Sequence, residues 1–134
     1  MDKVRLINFP YYKEDNGDLV IMQEMDDFVP FYISRVFNVR ADKDSIRGRH
    51  AHSECTQLLV CTNGSIEVSC DDGETQSIYI LNKPYMGLLI LPGVWVEQKY
   101  LENSSILTVL CDQPFNEEEY IRNYDEFKNY LNSK

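Results

Sequence analysis

Most apolar runs in the chain are short, alternate with a period of two, and end at turn residues. Residues 56–62 (Thr-Gln-Leu-Leu-Val-Cys-Thr) form one such run, and residues 65–70 (Ser-Ile-Glu-Val-Ser-Cys) the next. Asn63-Gly64 lies between them. That dipeptide predicts a two-residue hairpin pairing Thr62 with Ser65 and Cys61 with Ile66. Asp71-Asp72-Gly73 turns the chain into residues 75–80, and Asn82-Lys83-Pro84 ends that strand. Strands over 86–91, 94–101 and 106–110 follow, divided by Pro92-Gly93 and by the polar residues 102–105. Residues 17–22 and 34–39 add strands to the first third. Strands at this spacing, with little helix between them, predict an all-β sandwich or barrel.

Only the C-terminus changes period. Asn116 precedes Glu117-Glu118-Glu119, an N-cap followed by acidic first-turn residues. Tyr120, Tyr124, Phe127 and Leu131 then recur at helical spacing. The pattern predicts a C-terminal α-helix over about 117–131, packed by one apolar stripe against the barrel. No repeat, low-complexity stretch or linker divides residues 1–134, so a single domain is expected.

Composition narrows the class. Hydrophobic residues at 43% suffice for one packed core in 134 residues. No apolar run reaches membrane-spanning length, and residues 1–6 lack the apolar stretch of a signal peptide. Cys55, Cys61, Cys70 and Cys111 form no C-x-x-C pair and lie in strand-like contexts. They read as reduced core thiols of a cytoplasmic protein. The net charge of −9 argues against general nucleic-acid binding. Charge is uneven, however. Arg35, Arg40, Lys43, Arg47 and Arg49 face only Asp42 and Asp44 between residues 35 and 52. This cluster is either a solvated face or an anion site, since the arginine fork suits phosphate oxygens.

The only two histidines, His50 and His52, fall in that basic segment. Two residues apart on a strand, they share a face. Such a pair can hold a metal, move protons, or merely be satisfied polar residues at a strand end. The spacing His50-x-His52, Gln57, Gly64 follows the first motif of the cupin barrels. In metal cupins a glutamate stands where this chain has Gln57, and a second motif supplies a further histidine. Here that region, residues 87–96, has the glycine and proline but no histidine. The ligand count is too low for the usual three-histidine site, and Glu54 and Cys55 are not at the motif position, so no metal is expected. Proton transfer suits the pair better. A neutral imidazole is a competent base near pH 7, apt for removing a proton α to a carbonyl. A cation such as Arg47 would hold a histidine neutral and stabilise an enolate oxygen. No carboxylate partner is evident, with Glu54 and Glu97 as candidates. Gln57 has the wrong parity to share the face of His52 on one continuous strand. A bulge or break near residues 54–55 is therefore required.

Together these residues carry a resemblance. Arg35-Val36-Phe37, Arg47-Gly48-Arg49-His50-Ala51-His52, the stretch from Gln57 to Ser65, Asp71-Asp72-Gly73, Pro92-Gly93-Val94-Trp95 and the stretch from Tyr120 to Phe127 span nearly the whole chain in order. In them the chain resembles the sugar nucleotide 3,4-ketoisomerases of the cupin superfamily (FdtA/QdtA-like, WxcM-like). The resemblance implies a cupin-type jelly-roll barrel without cofactor or metal, dimeric by exchange of N-terminal strands. It implies that dTDP-4-keto-6-deoxy-D-glucose is the substrate and that its ketone moves from carbon 4 to carbon 3. The product would serve 3-amino-sugar biosynthesis for surface glycans. It puts catalysis on His50 and His52 and substrate binding on Arg47, Arg35, Gln57 and Trp95. Three positions depart from the family's habit: Val96 after the motif tryptophan, Asn16 before the N-terminal glycine, and Arg49 before the first histidine. Asn16 and Val96 bear on which face of carbon 4 receives the proton; Arg49 is expected at the rim. Two other readings remain open. One is a 3,5-epimerase on the same barrel, and the other is a cupin that binds a sugar nucleotide without catalysis.

Overall fold

The computed structural model describes residues 1–134. Its strands are β1 (Val4–Asn8), β2 (Tyr11–Glu14), β3 (Gly17–Val20), β4 (Arg35–Ala41), β5 (Ile46–His52), β6 (Gln57–Asn63), β7 (Ile66–Asp71), β8 (Gln76–Leu81), β9 (Met86–Ile90), β10 (Trp95–Tyr100), β11 (Ser105–Cys111) and β12 (Tyr120–Ile121). A 3₁₀ turn, Glu117–Glu119, precedes β12, and the helix α1 (Tyr124–Asn132) closes the chain. One five-stranded sheet has the order β1-β9-β6-β11-β4, the other β12-β5-β10-β7-β8, and β2 and β3 pair only with each other. All strand ladders are antiparallel. The expected all-β jelly roll is present as two facing sheets that do not close into a continuous barrel.

Asn63-Gly64 does not make the expected hairpin. β6 is flanked on both edges, by β9 and β11, while β7 pairs with β8 and β10 in the opposite sheet. The chain crosses between sheets at this point. Gly64 takes φ +84°, where a side chain is disfavoured, and its neighbours lie against the 102–105 turn. Asn63 Nδ2 donates to Ser104 O at 3.0 Å, and Leu101 N to Ser65 O at 2.9 Å. Side chains of Leu58, Leu59, Val60 and Cys61 are buried on both faces of β6. That continuous apolar run marks a central strand rather than one arm of a hairpin. By contrast, Asp71-Asp72-Gly73 does close the β7–β8 hairpin, with Asp72 Oδ1 accepting from Glu74 N and Thr75 N.

Inner-face side chains of both sheets form the main core, among them Leu59, Ile66, Val68, Leu88, Val96, Leu107, Val109 and Cys111. The outer face of the first sheet is covered by Phe9 and by residues 20–33, through Val29 and Phe31. The helix covers the outer face of the second. Its Phe127 is fully buried against Ala51 and Trp95, so the helix backs the strand that carries both histidines.

The C-terminal helix is shorter than expected. Asn116 caps only the 3₁₀ turn, by accepting from Glu118 N. Asn123 caps α1, by accepting from Glu126 N. After the 3₁₀ turn the chain is extended at Tyr120–Ile121, and Tyr120 leaves the predicted stripe to pair with His52 across β12–β5. Two Asn caps close together allow a break that the i, i+4 spacing of Tyr120 and Tyr124 conceals.

All four cysteines are free and buried. No helix is long and apolar enough to cross a membrane.

Candidate active site

The backbone around the histidines is built on a bulge. Val96 pairs with His50 and Glu97 with Gly48, so Arg49 is an extra residue in β5. Gly48 (φ +86°) and Arg49 (φ +57°) both take left-handed conformations to make it. Arg49 points outward, exposed, 3.8 Å from Glu97. The bulge also restores parity. Arg47 sits three residues before His50, yet pairs with buried Gln98 on the inner face that Val96 and His50 share. The Arg-Gly-x-His-x-His pattern thus places one guanidinium and two imidazoles along one inner face.

β5 ends at His52 and β6 begins at Gln57, so the required break near 54–55 is present. Gln57 lies in a row across the first sheet with Cys111 and Arg35. Arg35 Nη2 is 3.5 Å from Cys111 Sγ and donates to Tyr120 Oη at 3.3 Å. Gln57 Nε2 is 3.6 Å from the same sulfur. Opposite this row, His50 and His52 stand edge to face with ring centroids 5.0 Å apart. The Tyr120 ring is 4.4 Å from His52 and 5.2 Å from His50.

His52 has a carboxylate partner that sequence reasoning missed. Its Nδ1 is hydrogen-bonded to Glu119 Oε2, and both side chains are buried. Glu119 Oε1 accepts from Cys55 N at 3.0 Å and from Glu54 N at 3.4 Å. A carboxylate accepts only, so Nδ1 carries the proton and Nε2 the lone pair. That Nε2 is buried and has no hydrogen-bond partner, and so is Arg35 Nε. Such orphaned polar atoms mark where a ligand fits. Glu119 is 67 residues from His52 in sequence and read there as a first-turn acid of the helix. Of the two carboxylates considered, Glu97 instead accepts from Trp95 Nε1 at 3.0 Å. Glu54 reaches the site only through its backbone N–H.

His50 Nδ1 lies 3.0 Å from Gly48 O and donates to it, which leaves its Nε2 bare as well. Burial, reinforced by His52 and Arg122, pushes the His50 pKa down to about 4. Burial also lowers that of His52, with Glu119 acting against the shift. Arg35 and Arg122 are the cations that act on the histidines, the role foreseen for Arg47. Arg122 lies over the Tyr120 ring at 4.4 Å and pairs with Glu117. Cys111 is held below the ordinary thiol range by hydrogen bonding from Cys55, with Arg35 and Gln57 adding to it.

The other expected site residues divide. Val96 is the inner-face neighbour of His50. Trp95 points the opposite way, packed with Ala51 and Phe127 beside an outer groove of about 730 Å³ that Tyr124, Asp71 and Glu97 also line. Asn16 sits at the exposed tip of the β2–β3 hairpin, whose strands pair with no other strand of the chain. No three His, Cys, Asp or Glu side chains converge in a metal-binding arrangement.

Chemically, the space between the two histidines and the Arg35 row, the slot of the site, offers an oriented base, a second neutral imidazole, a phenol and a half-buried positive charge. A group with this set can take a proton from carbon and stabilise the oxyanion that results.

Comparison with known proteins agrees with this chemistry. The family described as FdtA (WxcM-like, C-terminal) matches residues 2–132. A TDP-4-oxo-6-deoxy-alpha-D-glucose-3,4-oxoisomerase of Aneurinibacillus thermoaerophilus is 38% identical over 128 residues, 95% of this chain and 91% of that protein. A histidine-to-asparagine variant of the 3,4-ketoisomerase QdtA from Thermoanaerobacterium thermosaccharolyticum, in complex with TDP-4-keto-6-deoxyglucose, superposes with TM-score 0.94 at 32% identity, covering 100% of this chain and 97% of that one. A 3,4-ketoisomerase from Helicobacter canadensis gives TM-score 0.91 at 35% identity, covering 96% and 97%.

The neutral His50 has a consequence for stability. Its folded pKa lies below the unfolded value of about 6.5, so between the two the unfolded chain binds the extra proton. Stability attributable to this group is full above pH 6.5 and falls on the order of 3 kcal/mol as pH drops to 4. Urea unfolding at pH 7 and pH 4 should therefore show a smaller acid loss for His50→Asn than for wild type. Equal losses would contradict a neutral, desolvated His50.

Proposed function

The chain belongs to the FdtA, WxcM-like family, and on that footing we propose that it isomerises dTDP-4-keto-6-deoxy-D-glucose, moving the ketone from carbon 4 to carbon 3. The observation that carries this reading is the bare, buried Nε2 of His52, aimed into the slot while Glu119 holds the other nitrogen. The proton on carbon 3 is acidified by the neighbouring ketone. His52 removes it, and Glu119 stabilises the imidazolium that forms. The resulting enediolate is reprotonated at carbon 4, which leaves the ketone at carbon 3.

The surrounding residues suit an anionic keto sugar. Arg35 carries a half-buried charge with no carboxylate beside it, and its positive field favours the enediolate over the ketone. Arg47, exposed on the same inner face, suits the diphosphate. His50, an acceptor at Nε2, orients a sugar hydroxyl, and Gln57 completes the set that meets the substrate. Trp95 acts from behind the sheet, through its packing on Ala51. Val96 and Asn16 bear on the face from which carbon 4 is protonated.

A homodimer formed by exchange of N-terminal strands completes the proposal. Tyr12 and Leu19 are each 57% exposed on the unpartnered β2–β3 hairpin, apolar surface that a second copy would cover. Light scattering should give twice the chain mass, and a monomer at micromolar concentration would remove this part of the reading.

The direct test follows the keto sugar nucleotide by NMR in D₂O. Wild type should convert it to the 3-keto isomer with exchange at carbon 3. His52→Asn should abolish both, and Glu119→Gln should lower kcat by about 100-fold or more with KM little changed, since the tautomer and the imidazolium lose their support. Deuterium entering at carbon 5 without carbonyl migration would indicate a 3,5-epimerase instead. Binding without any exchange would indicate a non-catalytic sugar nucleotide cupin.

A further inference from the structure

Isomerisation moves two protons. One passes from carbon 3 to carbon 4, and the other must pass from the carbon-3 hydroxyl to the carbon-4 oxygen. An imidazole engaged at carbon leaves the second transfer unassigned. Tyr120 is half-buried, in ring contact with both histidines, and its hydroxyl accepts from Arg35 Nη2 at 3.3 Å. It pairs with His52 across β12–β5, so the two side chains share one face. A phenol both donates and accepts, unlike a neutral histidine whose N–H is already engaged.

We propose that Tyr120 is the oxygen-to-oxygen proton carrier of the reaction, with Arg35 as the group that supports its transient phenolate; this rests on the ketoisomerase reading above. The step balances. The Tyr120 O–H bond breaks as its proton goes to the carbon-4 enolate oxygen. The phenolate then takes the proton of the carbon-3 hydroxyl, and its O–H bond re-forms. Tyrosine ends as it began, and the negative charge has moved from the carbon-4 oxygen to the carbon-3 oxygen. Protonation of carbon 4 then follows. Arg35 is suited to its role because no carboxylate neutralises it. Its Nη2 lies between Cys111 Sγ, which Gln57 also contacts, and the Tyr120 hydroxyl.

Burial raises the pKa of Tyr120 and Arg35 draws it back, so the phenol stays protonated at neutral pH yet can release a proton briefly. Cation–π contact with Arg122 adds positive charge on the ring face.

The proposal separates two rates that a structural role would lower together. In D₂O, Tyr120→Phe should still exchange the carbon-3 proton of recovered substrate, within about 3-fold of wild type. The first enediolate forms and collapses back without the phenol. Carbonyl migration should fall by about 100-fold or more, a typical share for one proton-transfer group. Arg35→Gln, which also weakens the first enediolate, should lower both rates but migration by about 10-fold more than exchange, and this ratio decides the matter if Tyr120→Phe fails to fold. Migration within 3-fold of wild type in Tyr120→Phe would overturn the proposal. So would parallel loss of exchange and migration in folded protein, because that places Tyr120 in the carbon step or in the scaffold. If wild type itself neither exchanges nor isomerises the sugar, the ketoisomerase reading fails before this one is reached.

Discussion

The hydrogen bond between Glu119 and His52 is the constraint on which the site depends. It joins the end of β5 to a segment 67 residues later. The same carboxylate receives the backbone N–H groups of Glu54 and Cys55, which lie in the break between β5 and β6. One buried side chain thus fixes the imidazole, the turn that follows it and the 3₁₀ turn that carries the carboxylate. Burying a carboxylate is unfavourable unless its oxygens are paired, and here three N–H groups do so. The consequence for chemistry is direct: with Nδ1 engaged, only Nε2 can meet a substrate.

The electrostatics follow from what Arg35 and the histidines lack. Arg35 has no carboxylate within ion-pair distance, since the chain's ion pairs are Arg49–Glu97, His52–Glu119 and Arg122–Glu117. Its charge faces Cys111 and Tyr120 instead. Burial, with a smaller contribution from the positive charge nearby, keeps both histidines neutral, ready to accept rather than donate. In a chain of net charge −9, Arg35 and Arg122 beside the histidines make this slot locally attractive to an anion. The helix contributes from the far side. Phe127 packs on Ala51, the residue between the two histidines, and so backs the strand that presents them.

Much of this was legible in the sequence where periodicity and chemistry coincide. Strand patterning located β4 and β6 to β11, and the His50-x-His52 spacing gave two imidazoles on one face. The parity of Gln57 correctly required a break before it. Other features depended on long-range pairing that no local pattern carries. Asn63-Gly64 reads as a hairpin by turn chemistry alone, yet both edges of β6 are occupied by distant strands. Glu119 follows a capping asparagine as a first-turn acid and Tyr120 shares helical spacing with Phe127, so their place in the slot was masked. A second capping asparagine, Asn123, was the available signal that the helix starts later. The bulge at Arg49 was likewise hidden. Gly48 hinted at it, but only the register with β10 shows that Arg47 shares the histidine face. Trp95, grouped with the site by motif, is separated from it by strand parity.

The central claim is that Glu119 holds His52 as a neutral imidazole with its proton on Nδ1 and its lone pair on Nε2. Nitrogen-15 NMR of the two imidazoles at pH 7 reads this directly. The account predicts a protonated Nδ1 and a bare Nε2 for His52, and conversion to the other tautomer or loss of the fixed one in Glu119→Gln. A His52 that carries its proton on Nε2, or on both nitrogens, at pH 7 would contradict it.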